Sequence, residues 1–155
     1  MVEQSIQIKA QLTYTIRQWR PEDDKRLAEL AGQLGYQSTP EQVRVRIAGM
    51  QDPNQYALYV AEMADGKIAG WIGVSLFRAV EVDCCAEITG LIVDQDIRSR
   101  GIGKVLLDAA EQWARHRGCD GIGVKSNVTR DRAHLFYQHN GYERVKTQVS
   151  LHKAL

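Results

Sequence analysis

Arg98-Ser99-Arg100-Gly101-Ile102-Gly103-Lys104 sets three cations and two glycines immediately ahead of an apolar run that begins at Val105. If a strand ends before this stretch and a helix begins within it, the exposed N–H groups and the positive end of the helix dipole make a seat for a phosphate or diphosphate. Glycine lets an oxygen come close to the backbone. Cations at a helix start are mildly unfavourable by themselves, and a bound anion reverses that sign. Two nucleotide motifs fail here. A Walker A loop needs glycine in place of Arg98 and Ser or Thr in place of Val105, and a dinucleotide fingerprint from Gly101 needs glycine in place of Leu106.

The elements around this stretch can be read from periodicity. Residues 12–19 alternate as a strand, and from Pro21 a helix follows with Leu27, Leu30, Ala31 and Leu34 on one face. Ser38 or Thr39 caps a second short helix from Pro40 to about Met50. Residues 56–63 and 68–77 are apolar runs around Asp65-Gly66, a strong hairpin signal, and 85–93 reads as a further strand. Beyond the glycines, Leu106, Ala109, Ala110 and Trp113 form a helical stripe that Gly118 stops. Residues 121–128 read as a short strand, 130–142 as a helix ended by Gly141, and 142–155 as one or two closing strands. The order βααβββαβαβ(β) predicts an α/β chain with a mixed sheet and helices on both faces.

Bulk properties narrow the partners. The chain of 155 residues, 44% hydrophobic and 25% charged, suits a single domain over 1–155, with residues 1–10 as an extension or edge strand. Twenty basic against nineteen acidic residues leave a net charge of +1, which argues against a nucleic-acid or anionic-membrane partner. No basic-apolar leader or run of about 20 apolar residues is present, so a cytoplasmic protein is expected. Cys84, Cys85 and Cys119 lack metal-ligand spacing and read as half-buried thiols, with no metal expected.

Between "AEITGLIVD" and "NVTRDRAHLFYQHNGY", the glycine stretch resembles the acetyl-CoA site of the GNAT superfamily of N-acetyltransferases. The Arg/Gln-x-x-Gly-x-Gly/Ala pattern is matched by Arg98, Gly101 and Gly103. The pattern Ala-x-x-Phe/Leu-Tyr-x-x-x-Gly-Phe/Tyr is matched by Ala133, Phe136, Tyr137, Gly141 and Tyr142. The resemblance implies a mixed, mostly antiparallel sheet of six to seven strands flanked by about four helices, and suggests a homodimer.

It also implies roles. Backbone amides of Ser99, Arg100, Gly101, Ile102, Gly103 and Lys104 would cradle the coenzyme diphosphate, with Arg98 beside them. The pantetheine arm would lie along Leu91, Ile92 and Val93, where the strand splays from its neighbour, with Asn127 and Tyr137 flanking the channel. A backbone N–H near Leu91 would stabilise the oxyanion. Glu87 stands where several members carry a general base, and burial would suit it to that task. Tyr137, a phenol of ordinary pKa about 10, is the proton source for a thiolate whose conjugate acid lies near 8.5.

Direct attack by the amine in a ternary complex is favoured over a route through Cys84 or Cys85, for which no positioned base can be named. The acceptor expected is a small amine of aminoglycoside, polyamine or amino-acid type, with Glu22, Asp23, Asp24, Glu81 and Asp83 as candidate attractors of its charge. Protein lysines or N-termini are the alternative acceptors, and a non-catalytic acyl-CoA sensor is the alternative activity. His116, His134 and His139 read as surface or packing residues.

Overall fold

A computed structural model describes residues 13–155. The proposed extension at 1–10 lies outside them. The element order is β1 (Tyr14–Gln18), α1 (Asp24–Leu34), α2 (Pro40–Ala48), β2 (Tyr56–Met63), β3 (Ile68–Ala79), β4 (Val82–Val93), α3 (Ile102–His116), β5 (Ile122–Val124) and α4 (Asp131–His139). The five strands lie side by side in chain order, antiparallel through β4, with β5 added parallel to β4.

The local chemistry explains these boundaries. Pro21 opens one turn of 3-10 helix that runs into α1, which ends at Gly35 in the left-handed conformation. Of the two cap candidates it is Thr39 that closes the box, its hydroxyl accepting from the Gln42 N–H while the Gln42 side chain accepts from the Thr39 N–H. Gly66 turns β2 into β3 at φ +84°, and the Asp65 carboxylate accepts from the Lys67 N–H.

Strand alternation divides the interior in two. Ala61, Ile72, Val74, Ala86 and Ile88 face α3 and α4 and pack with Leu106, Leu107, Ala110, Trp113 and Tyr137. Val60, Ile68, Trp71 and Ile92 face the opposite way, against Leu27 and Leu30 of α1 and Ile47 of α2.

The expected six to seven strands are not found: the described sheet has five. Residues 143–155 contain no strand, and Val145, Val149 and Leu151 are exposed. Their alternation is strand-like, yet pairing needs a partner edge, and β5 extends for only three residues. The strand expected over 121–128 accordingly shrinks to Ile122–Val124.

Candidate active site

Three features of β4 position the site. Parallel pairing with β5 runs from Ala86↔Ile122 to Ile88↔Val124 and stops. At that point the register with β3 shifts: Gly73 faces Gly90 while Val74 faces Ile88, leaving Thr89 as a bulge residue. From Gly90 to Val93 the strand pairs with β3 alone. Leu91, Ile92 and Val93, where a splay is expected, therefore have no partner strand on the β5 side among the described residues. Their side chains belong to the two cores, Leu91 and Val93 toward α3 and Ile92 toward α1, so what this segment offers a ligand is its backbone.

Past Val93, the buried Asp94 carboxylate anchors the turn. It accepts from the Asp96 N–H at 3.2 Å and from Gln33 at 3.4 Å, and pairs with Arg26 and Lys67. Burial alone would raise its pKa, but the hydrogen bonds from Asp96, Gln33 and Arg26 outweigh it and hold the carboxyl below its ordinary value. Arg98 Nε donates to the Val93 carbonyl at 3.1 Å, folding the turn back onto the strand. Ser99 and Gly101 both lie at positive φ, 63° and 84°, and α3 then begins at Ile102 with neither a side-chain cap nor an acid in its first turn.

Among the described residues, none of the N–H groups from Ser99 to Lys104 donates to another residue. Such a run of unpaired donors at the start of a 15-residue helix suits a diphosphate. A Cβ on Gly101 would meet nothing within 4 Å, so that side of the turn is open.

Other members of the turn act differently from expectation. Gly103 turns toward the protein: a Cβ there would lie 3.4 Å from the Phe136 ring and 3.7 Å from Val93, so its smallness lets α3 approach α4 and β4. Ile102 is fully buried, and its side chain anchors the helix start. Lys104 pairs with Asp108 at 2.7 Å, while Arg100 is exposed. Arg132 of α4 donates to Ser99 Oγ at 3.1 Å and adds a cation that no local motif had signalled.

Tyr137 sits in the α3-side core, edge-on to Phe136 at 5.2 Å and to Tyr142 at 5.4 Å. Burial pushes its pKa up to about 12, with Arg130 working weakly against it. The shift favours the protonated phenol and makes it a weaker proton source than an ordinary tyrosine. Asn127 is exposed, its Oδ1 accepting from the N–H and the hydroxyl of Thr129 at 3.1 and 3.0 Å. It shapes the turn into α4 and keeps its amide NH2 for other partners.

Glu87 points away from the α3 core, since Ala86 and Ile88 on either side of it point inward. It is 27% exposed and ion-paired to Lys125 at 3.0 Å, so it is partly rather than fully buried. Cys84 Sγ and Cys119 Sγ lie 3.6 Å apart as free thiols, and burial raises the pKa of both Cys119 and Cys85, which disfavours a thiolate nucleophile.

On the Glu87 face of the sheet, α1 and α2 roof a cavity of about 590 Å³ bordered by Trp19, Leu34, Tyr36, Met50, Tyr56 and Trp71. Gly73 and Thr89 form its floor at the bulge, and a Cβ on Gly73 would lie 2.5 Å from Thr89 Oγ1. The acids proposed to attract an acceptor do not border it. Asp23 is held by Arg17 and the Arg20 N–H, and Asp24 by Arg44. Glu22 lines a separate open cleft, and Glu81 and Asp83 are exposed around the β3–β4 turn.

Comparison with known proteins agrees with this geometry. The chain is 32% identical over 97 residues to an aminoalkylphosphonate N-acetyltransferase of Salmonella typhimurium, a match spanning 62% of each chain. It is 27% identical over 139 residues to an aminoglycoside N(6')-acetyltransferase type 1 of Stenotrophomonas maltophilia, covering 87% of this chain and 90% of that one. An aminoglycoside N-acetyltransferase solved with CoA shares the fold with a TM-score of 0.80 at 20% identity, over 93% of this chain and 97% of that one. Glucosamine-6-phosphate N-acetyltransferase from Arabidopsis thaliana gives 0.79 at 23% identity, over 90% and 98%. The sequence model of the acetyltransferase (GNAT) family matches residues 14–142, and the chain belongs to that family.

Proposed function

We propose that the protein transfers acetyl from acetyl-CoA to a primary amine seated in the cavity beneath α1 and α2, by direct attack in a ternary complex. The observation that carries this reading is the continuity from the unpaired amides of Ser99 to Lys104, along the free side of Gly90 to Val93, to the Thr89 bulge at the cavity floor.

The donor supplies a thioester carbonyl: the amine nitrogen bonds to that carbon, the carbon–sulfur bond breaks, and the sulfur leaves as a thiolate. The amides of the turn hold the diphosphate, and the unpaired side of Gly90 to Val93 takes the pantetheine as an added strand would. A backbone N–H near Leu91 supports the negative oxygen. Tyr137 donates a hydrogen bond to the departing sulfur, and the amine proton leaves through water toward Glu87.

Calorimetry with CoA, followed by thiol release from acetyl-CoA with amines, tests the reading. A competing acyl-CoA sensor is favoured by one observation, the engagement of Glu87 by Lys125, and predicts binding with no turnover. The proposal also takes the chain as one transferase domain that pairs as a homodimer, because residues 143–155 leave Val145, Val149 and Leu151 exposed on an extended, strand-patterned segment.

A further inference from the structure

The two aminoglycoside acetyltransferases and the aminoalkylphosphonate enzyme matched by this chain are named for charged acceptors. The cavity of this protein has a different chemistry. Among the described residues, no Asp or Glu borders it, and its one ionisable cation is Arg46, which donates to Ser38 Oγ at 2.8 Å at the rim. Trp19, Tyr36, Tyr56 and Trp71 supply aromatic faces, and Trp71 Nε1 is buried without a partner.

A polycation entering such a space would lose hydration at every ammonium and find no carboxylate in the walls, Glu87 lying outside them and paired to Lys125, with Arg46 adding repulsion. A single amine on an apolar body fares differently. Its body buries carbon against the rings, and its ammonium is attracted to aromatic faces during entry. Desolvation at the floor then favours the uncharged nitrogen, which is the form that attacks. A cavity of about 590 Å³ accommodates a body the size of a phenyl ring with a short alkyl arm.

We infer that the acceptor is a monoamine with an aromatic or aliphatic body, an arylalkylamine or alkylamine, and that this site discriminates against polyamines and aminoglycosides. This rests on the proposed use of the cavity as the acceptor site. Gly90 shapes it through Trp71: a Cβ there would lie 2.8 Å from the Trp71 ring, so its smallness lets the indole lie against β4.

The test compares 2-phenylethylamine and n-hexylamine with spermidine and kanamycin as acceptors for the full chain, by thiol release. The expected kcat/KM is at least about tenfold higher for the monoamines, a difference of about 1.4 kcal/mol. Arg46→Glu should raise kcat/KM for spermidine about tenfold, and Tyr56→Ala should lower that for 2-phenylethylamine, both with KM for acetyl-CoA unchanged. Quenching or shift of tryptophan emission by 2-phenylethylamine alone reports occupancy through Trp19 and Trp71. Equal or better turnover of spermidine or kanamycin overturns the inference while leaving the transferase reading intact. CoA binding with no turnover of any amine overturns it as well. Absence of heat with CoA overturns the transferase reading itself.

Discussion

Glu87 and Lys125 meet at 3.0 Å across the short parallel junction of β4 and β5, one pair before that pairing ends at Ile88↔Val124. The ammonium also lies 5.7 Å from the centre of the Phe77 ring, so it is held from two sides. If Glu87 receives the amine proton, Glu87→Gln lowers kcat by roughly 100-fold while Lys125→Ala has a much smaller effect. If the carboxylate serves only the ion pair, the two variants fall together and by little, since exposed pairs contribute about 0 to 1 kcal/mol. Steady-state rates of both variants at saturating acetyl-CoA separate these outcomes.

Tyr137→Phe keeps the ring packed against Phe136 and Tyr142 and removes only the hydroxyl. The expected result is a drop in kcat of about 100-fold with acetyl-CoA KM within about threefold of wild type. Unchanged kcat would sink the hydrogen-bond role.

The raised pKa of Tyr137 also makes a stability prediction. A phenol that titrates near 10 in the unfolded chain and at about 12 in the fold contributes stability that is fully present below pH 10 and lost as pH climbs through 12. That amounts to roughly 2 to 3 kcal/mol. Burial moves Tyr142 in the same direction. Tyr137→Phe should therefore flatten the alkaline fall in urea midpoint between pH 10 and 12 without abolishing it.

The two glycines of the turn should separate under mutation. Gly101→Ala meets no neighbour but must hold φ near +84°, at a cost of about 1 kcal/mol, and it displaces the amides, so CoA affinity should fall about tenfold with little change in Tm. Gly103→Val pushes against Phe136 and Val93, and overpacking of that kind costs about 1 to 3 kcal/mol. Thermal melts and CoA titrations of both proteins provide the check, and a lower Tm for Gly101→Ala than for Gly103→Val contradicts the assignment.

Removal of residues 143–155 tests the role of the exposed segment. The full chain should scatter light as a dimer at micromolar concentration, and the shortened chain as a monomer that still binds CoA within about threefold. A monomeric full chain removes the basis for pairing.

Features set by neighbours in sequence were legible, and those set by neighbours in space were not. Asp65-Gly66 makes its own turn, Thr39 and Gln42 close their own box, and the Leu106 to Trp113 stripe needs only helical periodicity. The bulge at Thr89 depends on how β4 registers against Gly73, the pairing of Lys125 with Glu87 depends on where β5 stops, and the approach of Arg132 to Ser99 depends on the docking of α4. Residues 142–155 alternate as a strand would, and the strand expected there does not form, because alternation specifies a face and does not supply an edge. Asp23 and Asp24 at the α1 entrance were visible as charges, while their partners Arg17 and Arg44, on other elements, hold them in the fold.

The sheet keeps its two cores on opposite faces, one holding α3 and Tyr137, the other holding α1, α2 and the cavity. Substitutions at Tyr36, Tyr56 or Met50 can therefore accumulate on one side while the residues facing α3 are untouched on the other. A lineage built this way can drift from one acceptor to another in small viable steps, and a library confined to the exposed wall positions Tyr36, Met50 and Tyr56 samples new specificities at low risk to folding.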